Sequence, residues 1–159
     1  MKQTLSCLVN NKPGVLEKIA ASFADIGINI YSLAAGEVEE EDKSRMTIVV
    51  DADEEAVKKA TDKLKGLKDV IQIHDFTNEE LISMELLLIK VRIKAEQIPQ
   101  ILQIAELFNA QVISVTDVSM VLSLASGEKR IDGMVRMLKP MGIIEMSRSG
   151  KLAVCGVDR

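Results

Sequence analysis

The sequence is poor in the residues that most catalytic and metal sites require. It contains one histidine, two cysteines and no tryptophan. His74 stands alone at the end of a predicted strand, and a metal site needs several ligands at suitable spacing. Cys7 and Cys155 lie far apart in apolar runs, which predicts reduced core cysteines. No Ser–His or Cys–His pairing is suggested by the spacing, so we expect no catalytic residues and no metal site in this chain.

Charge and hydropathy exclude two further classes. The net charge is −4, and only one tyrosine and three phenylalanines are present. A nucleic-acid-binding protein would show a basic patch or aromatic residues for base stacking, so we expect no nucleic-acid partner. No apolar run reaches the roughly 18 residues of a membrane helix, and the N-terminus lacks a signal-peptide pattern. We therefore expect a cytoplasmic protein without a membrane partner.

The hydrophobic pattern of the first half predicts the order strand-helix-strand-strand-helix-strand. Period-two and helical spacing place the strands at residues 3–9, 28–38, 45–51 and 69–74. The first helix is predicted over residues 14–25, and Asp53 is the predicted N-cap of the second helix. This order is that of a ferredoxin-like fold.

The same order begins again after a polar stretch. We expect a first domain over residues 1–76, a linker over 77–83 and a second domain over 84–159. In the second half, a predicted helical stripe contains Ile98, Ile101, Leu102, Ala105 and Phe108, and Ser126 is the predicted cap of the last helix. The predicted fold class is α+β, with two ferredoxin-like βαββαβ domains in tandem. Because each half is small, we also expect a homodimer.

A candidate site lies where the first strand meets the first helix. Pro13 suits the opening of a helix, and Gly14 lets a ligand approach the backbone closely. Helix-start N–H groups lack intrahelical partners and favour a small anion such as a carboxylate. The alternative is an ordinary strand-to-helix turn that binds nothing.

We expect a free α-amino acid to use this helix start together with the turn that precedes the second strand, both facing one cleft, either within one chain or across a dimer seam. The side-chain carbonyls of Asn11 and Asn29 are candidate acceptors for the ammonium group. The predicted effector-binding residues are Asn11, Gly14, Val15, Leu16, Asn29 and Ile30.

Several runs of residues resemble one known family. They are Asn11-Lys12-Pro13-Gly14-Val15-Leu16, Gly27-Ile28-Asn29-Ile30-Tyr31-Ser32-Leu33, Ile104-Ala105-Glu106-Leu107-Phe108 and Leu138-Lys139-Pro140-Met141-Gly142-Ile143-Ile144-Glu145. They are similar, in the same order, to the ACT domain and the C-terminal domain of the acetolactate synthase (acetohydroxyacid synthase) small regulatory subunit.

The resemblance implies a non-catalytic subunit that activates a separate catalytic (large) subunit and confers feedback inhibition, usually by valine. It places the effector at a dimer interface between two ACT domains. Thiamine diphosphate, Mg²⁺ and FAD would then belong to the catalytic subunit, with no cofactor in this chain. Arg148, Ser149, Gly150 and Lys151 are candidate contacts with that partner, against the alternative of a simple turn. A stand-alone amino-acid sensor without an acetolactate synthase partner is the alternative function.

Overall fold

The computed structural model describes residues 1–158 and divides them into two compact units. The first unit contains Met1–Ser83 together with residues 151–158, and the second contains Met84–Gly150. Each unit is built on one antiparallel sheet. The predicted fold class, two βαββαβ units in tandem, is confirmed.

The first unit follows the predicted order. Its elements are β1 (Lys2–Asn10), α1 (Val15–Asp25), β2 (Ile30–Glu37), β3 (Lys43–Asp51), α2 (Glu54–Lys65) and β4 (Val70–Asp75). The strands lie in the order β2-β3-β1-β4, so β1 is a central strand and β2 is an edge strand. Alternation along β1 directs Leu5, Cys7 and Val9 into the core beneath the helices.

Helix α1 buries one stripe against that core. Val15, Ile19 and Phe23 are at most 4% exposed and follow the spacing of a helical face. Leu16, the next residue in the chain, is 46% exposed. Val15 and Leu16 are neighbours about 100° apart around the helix, and only Val15 points into the core.

The second unit repeats the plan. Its elements are β5 (Leu81–Arg92), a 3₁₀ turn at Ala95–Gln97, α3 (Ile98–Phe108), β6 (Gln111–Val115), β7 (Ser119–Ser126), α4 (Glu128–Leu138), a 3₁₀ turn at Lys139–Met141 and β8 (Ile143–Arg148). The strand order is β6-β7-β5-β8. The final strand, β9 (Leu152–Cys155), pairs with β5.

The observed boundaries differ from the predicted ones in two places. The stretch 77–83, expected to be a linker, already contains the start of β5 at Leu81. Residues 151–158, expected in the second domain, group with the first unit. A backbone hydrogen bond explains part of this placement, because the Gly156 N–H donates to the Glu80 carbonyl at 2.9 Å.

Two details of the second unit also correct the sequence reading. The buried residues of α3 are Ile101, Ile104 and Ala105, whereas Leu102 is 45% exposed. Ser126 does not cap α4, because it is the last residue of β7 and Gly127 occupies the N-cap position without a side-chain cap. Within residues 1–158, no helix has the length and apolar character needed to cross a bilayer.

The cap of α2 gives a direct test of the first unit. Asp53 accepts a hydrogen bond from the Ala56 N–H at 2.8 Å. We expect Asp53→Ala to lower the free energy of unfolding by about 1 kcal/mol, because the cap is lost. Asp53→Asn, which keeps the acceptor, should cost much less. Urea unfolding of both variants measures this difference, and equal losses would contradict the assignment.

Candidate functional site

The turn between β1 and α1 presents an open helix start. Gly14 is the N-cap residue, has φ of +86°, and receives no side-chain capping hydrogen bond. A Cβ placed on Gly14 would meet no atom within 4 Å, so space is open in front of the backbone. Glycine accommodates the positive φ without strain, which explains why it stands here.

The residues around this glycine divide into core and surface. Asn11, Gly14 and Leu16 are exposed. Val15 is 4% exposed and packs in the core, so its side chain supplies no wall to a ligand, although it was predicted as an effector-binding residue. Its N–H makes only a long hydrogen bond of 3.4 Å to the Lys12 carbonyl. The exposed Leu16 is therefore the apolar side chain that α1 itself offers at this turn.

Asp69, which directly precedes β4, anchors the turn from the strand next to β1. Its carboxylate accepts from Asn10 Nδ2 at 3.2 Å, and Lys12 Nζ lies 3.7 Å away. Its backbone carbonyl accepts from the Asn10 N–H at 2.9 Å. The hydrogen bond from Asn10 is the main reason that the pKa of Asp69 is lowered from its ordinary value of 3.8; partial burial opposes the shift, and Lys12 and Lys18 add to it.

The second predicted part of the site is the turn between α1 and β2. Gly27 has φ of +74° and directs the chain out of α1. Ile28 is buried, while Ile30 is half-buried and packs against the core. Asn29 is exposed at the start of β2, where its side chain is available to a ligand.

Within one chain, these two turns do not share a cleft. Gly14 and Asn29 lie at opposite ends of α1, whose 11 residues span about 16 Å. The sheet register agrees. Ile30 is level with Val50 and Gln3, at the start of β1, whereas Asn10 at its end pairs with Lys43. A shared cleft within one chain is therefore excluded, because β1 separates the turns by about 23 Å. The other expected arrangement, a cleft across a dimer seam, stays a prediction.

The second candidate surface, residues 148–151, is engaged within the protein. Arg148 Nε donates to Glu85 Oε1 at 2.9 Å, and Arg148 Nη1 donates to Asp132 Oδ1 at 2.8 Å. Partial burial acts against the charge of Arg148, but the hydrogen bonds to Asp132 and Glu85 raise its pKa above the ordinary value. Ser149 exchanges two hydrogen bonds with Leu86, and Gly150 is buried with φ of +84°. These contacts favour a structural turn.

The cysteines differ from each other. Cys7 is fully buried, as predicted, and burial raises the pKa of its thiol to about 12 although the charge of Arg45 opposes the shift. Cys155 was expected in the core but is only half-buried, with Sγ 3.8 Å from Glu79 Oε2. His74 Nε2 contacts the same carboxylate at 2.8 Å. Among residues 1–158, no group of three or more His, Cys, Asp or Glu side chains is placed to hold a metal ion.

These features define the class of protein: a tandem α+β chain whose first ferredoxin-like domain is of the ACT type. Residues 5–72 match the AHAS small subunit-like ACT domain, and residues 84–156 match the family described as the small subunit of acetolactate synthase. The chain belongs to the acetolactate synthase small subunit family.

Individual relatives agree with this assignment over nearly the whole chain. The chain is 40% identical over 151 residues to the acetolactate synthase small subunit of Mycobacterium bovis, covering 95% of this chain and 90% of that protein. It is 35% identical over 154 residues to a probable acetolactate synthase small subunit of Archaeoglobus fulgidus, covering 97% and 96%. The crystal structure of the Thermotoga maritima small subunit superposes with a TM-score of 0.91 at 28% identity, covering 100% and 99% of the two chains.

The anchor at Asp69 predicts a pH dependence. A carboxylate whose pKa is lower in the folded than in the unfolded state stabilises the fold above its ordinary pKa, and this contribution disappears as the pH falls through the folded value. The difference in unfolding free energy between wild type and Asp69→Asn should therefore be largest near neutral pH and shrink below about pH 4. Urea unfolding across that range measures it. Asp62→Asn, at an exposed position of α2, is the control, and an equal pH dependence in both variants would refute the role of Asp69.

The ion pairs of Arg148 predict a large stability effect. The Glu85 side chain is only 9% exposed, so removal of Arg148 leaves a nearly buried carboxylate unpaired. We expect Arg148→Met to lower the unfolding free energy by about 3 kcal/mol, and Glu85→Gln in the same chain to recover part of that loss. Arg136→Met, at an exposed position of α4, is the matched control. A loss no larger than that of the control would show that Arg148 is not a structural residue.

Proposed function

We propose that this chain is a non-catalytic regulatory subunit that binds a branched-chain amino acid, such as valine, and controls the catalytic subunit of acetolactate synthase. Membership of the small-subunit family over both domains supports this role. The observation that carries the ligand part is the uncapped start of α1 at Gly14. The matched second domain favours this function over a stand-alone amino-acid sensor.

The effector carboxylate would bind at the start of α1. The backbone N–H groups there point out of the helix, and no side chain caps them. The positive end of the helix dipole favours an anion at this position. The absence of a Cβ at Gly14 leaves the approach open. Leu16, with nearly half of its surface exposed, would contact the aliphatic side chain of the ligand.

The remaining groups of the site would come from a second copy of the chain. Strand β2 is an edge strand, and α1 connects β1 to it. If two β2 edges pair antiparallel about a two-fold axis, the two α1 helices run antiparallel beside each other. Gly14 of one chain then approaches Asn29 and Ile30 of its partner. Such a dimer would complete the cleft that one chain does not form.

The size of the ligand sets a demand on this site. Micromolar affinity corresponds to about −8 kcal/mol. A branched-chain amino acid has about eight non-hydrogen atoms, and the best very small ligands reach about −1.5 kcal/mol per atom. The ceiling is therefore roughly −12 kcal/mol, so the site must contact most of the ligand. A site shared between two chains can contact more of the ligand than either turn alone. One chain would supply the helix start, and the other would supply a hydrogen-bond acceptor and an apolar residue.

Effector binding would alter the catalytic subunit through a change in the dimer. A ligand shifts a conformational equilibrium only by binding one state more tightly than the other. A site shared by two chains meets this condition, because its affinity depends on how the chains are arranged. Thiamine diphosphate, Mg²⁺ and FAD would be held by the catalytic subunit in the cytoplasm, and this chain would supply regulation only.

A complementation experiment tests the shared site. Gly14→Asp places a negative charge where the carboxylate would bind, and Asn29→Ala removes an acceptor, so each variant alone should lose valine binding. In a mixture of the two variants, each heterodimer keeps one intact site, and calorimetry should recover roughly one site in four, because random exchange makes half of the dimers heterodimers. No recovery after confirmed exchange would refute a site shared between chains.

Gly14→Asn is the control for charge. Asparagine tolerates a positive φ and has the same shape as aspartate, so it separates repulsion from steric and backbone effects. It should bind valine more tightly than Gly14→Asp by about tenfold or more. In reconstitution with the catalytic subunit, Gly14→Asp should remain an activator but abolish inhibition by valine. Inhibition that persists in this variant would contradict the proposed site.

A further inference from the structure

A second cavity lies in the first unit, on the face of the sheet opposite the helices. Residues directly opposite in an antiparallel pair share a face. Leu8 pairs with Arg45 on β3 and with Gln72 on β4, while Ser6 pairs with His74. These positions alternate with the core residues Leu5, Cys7 and Val9. The cavity therefore has a polar floor made by three adjacent strands.

The final strand forms a wall of this cavity. Ala153, Val154 and Cys155 of β9 line it together with Phe76. Its volume is about 380 Å³, within the usual range for small-ligand sites. Phe76 and Ala153 are 6% and 7% exposed, whereas Val154 is 60% exposed, so this side of the cavity is apolar and partly open.

Arg45 is the distinguishing group of the floor. Its Nη1 donates to Ser6 Oγ at 2.9 Å, a neutral partner. Among residues 1–158, no ion pair joins its guanidinium to a carboxylate within 4 Å. A guanidinium carries five donors in a planar fork that matches a carboxylate. Arg45 therefore has donors left for a ligand, with Gln72 in the same cross-strand row, on the other side of Leu8.

The charge of the lining selects the ligand. Glu39, from the turn between β2 and β3, lines the same cavity as Arg45. His74 also lines the cavity, where its Nε2 lies 2.8 Å from Glu79 Oε2. Glu39 beside Arg45 disfavours a phosphate or dicarboxylate, since a second negative charge would face Glu39. The apolar wall of Phe76, Ala153 and Val154 fits a short aliphatic group. We propose that this cavity binds a small aliphatic monocarboxylate, with its carboxylate on Arg45 and its hydrocarbon part against Phe76 and β9.

This site is independent of the effector site at Gly14. The two lie on different sides of the sheet, because α1 covers the face that holds Leu5 and Cys7, whereas the cavity opens on the face that holds Ser6 and Arg45. Loss of effector binding at Gly14 would therefore not contradict ligand binding in this cavity, and the converse also holds.

The two cysteines provide a readout that needs no activity assay. Cys155 lines the cavity and is half-buried, whereas Cys7 is fully buried on the other face. A ligand in the cavity should slow alkylation of Cys155 by iodoacetamide, followed by mass spectrometry of the peptide that contains it. Isovalerate is the probe, and isovaleramide, which has the same shape without the charge, is the matched control.

We expect isovalerate to protect Cys155 in the wild-type protein, and Arg45→Gln to raise the half-protecting concentration by about tenfold or more, because a charged hydrogen bond is lost. Arg92→Gln, at an exposed strand position in the second unit, and Gly14→Asp should both leave protection unchanged. Melting curves verify that the variants are folded. Gln72→Leu, which keeps all charges, should weaken protection less than Arg45→Gln.

Comparison of valine with isovalerate identifies the class of carboxylate that binds in the cavity. If valine protects as isovalerate does and Glu39→Gln weakens only valine, the ligand is an amino acid whose ammonium group contacts Glu39. If isovalerate alone protects, the ligand lacks an amino group, as a 2-oxo acid does. The proposal is overturned if isovaleramide protects equally, if Arg45→Gln has no effect, or if neither acid protects at about 50 mM, where millimolar affinity would saturate the site.

Discussion

The pairing of β1 with β3 and β4 is the constraint on which the first unit depends. Because β1 is central, its register determines which side chains face the helices and which face the opposite side. It also places the turn before α1 and the turn before β2 at opposite ends of the sheet. A ligand site that uses both turns must therefore be assembled from two chains. The proposed site therefore requires a dimer, for reasons of strand register and helix length.

The two units share a topology but use it differently. In the first, α1 starts at a glycine without a side-chain cap, whereas in the second α3 continues directly from a 3₁₀ turn. In the second unit the conspicuous polar feature is the ion-pair group of Arg148, which joins β8 to Glu85 on β5 and to Asp132 on α4.

The sequence pattern was sufficient for the order of elements and for most of the core. Period-two runs located the strands, and the Asp53 cap located α2. It was insufficient to identify the buried face of α3, and it could not show contacts between residues that are far apart in the chain. The buried stripe of α3 includes Ile104 and excludes Leu102. Residues 151–158 group with the first unit, and they form a hydrogen bond to a residue much earlier in the chain. A local sequence pattern does not indicate such contacts. The separation of Gly14 from Asn29 depends on register in the same way.

The placement of residues 151–158 makes the second unit, in covalent terms, an insertion within the first. The chain leaves the first unit after Ser83 and returns to it at Lys151. A fragment that stops at the end of the apparent N-terminal half would therefore lack a strand of its own domain. Fusions and truncations that divide the chain after Ser83 would separate the two segments of the first unit. Removing Met84–Gly150 would keep both segments but would shorten β5, which runs from Leu81 to Arg92.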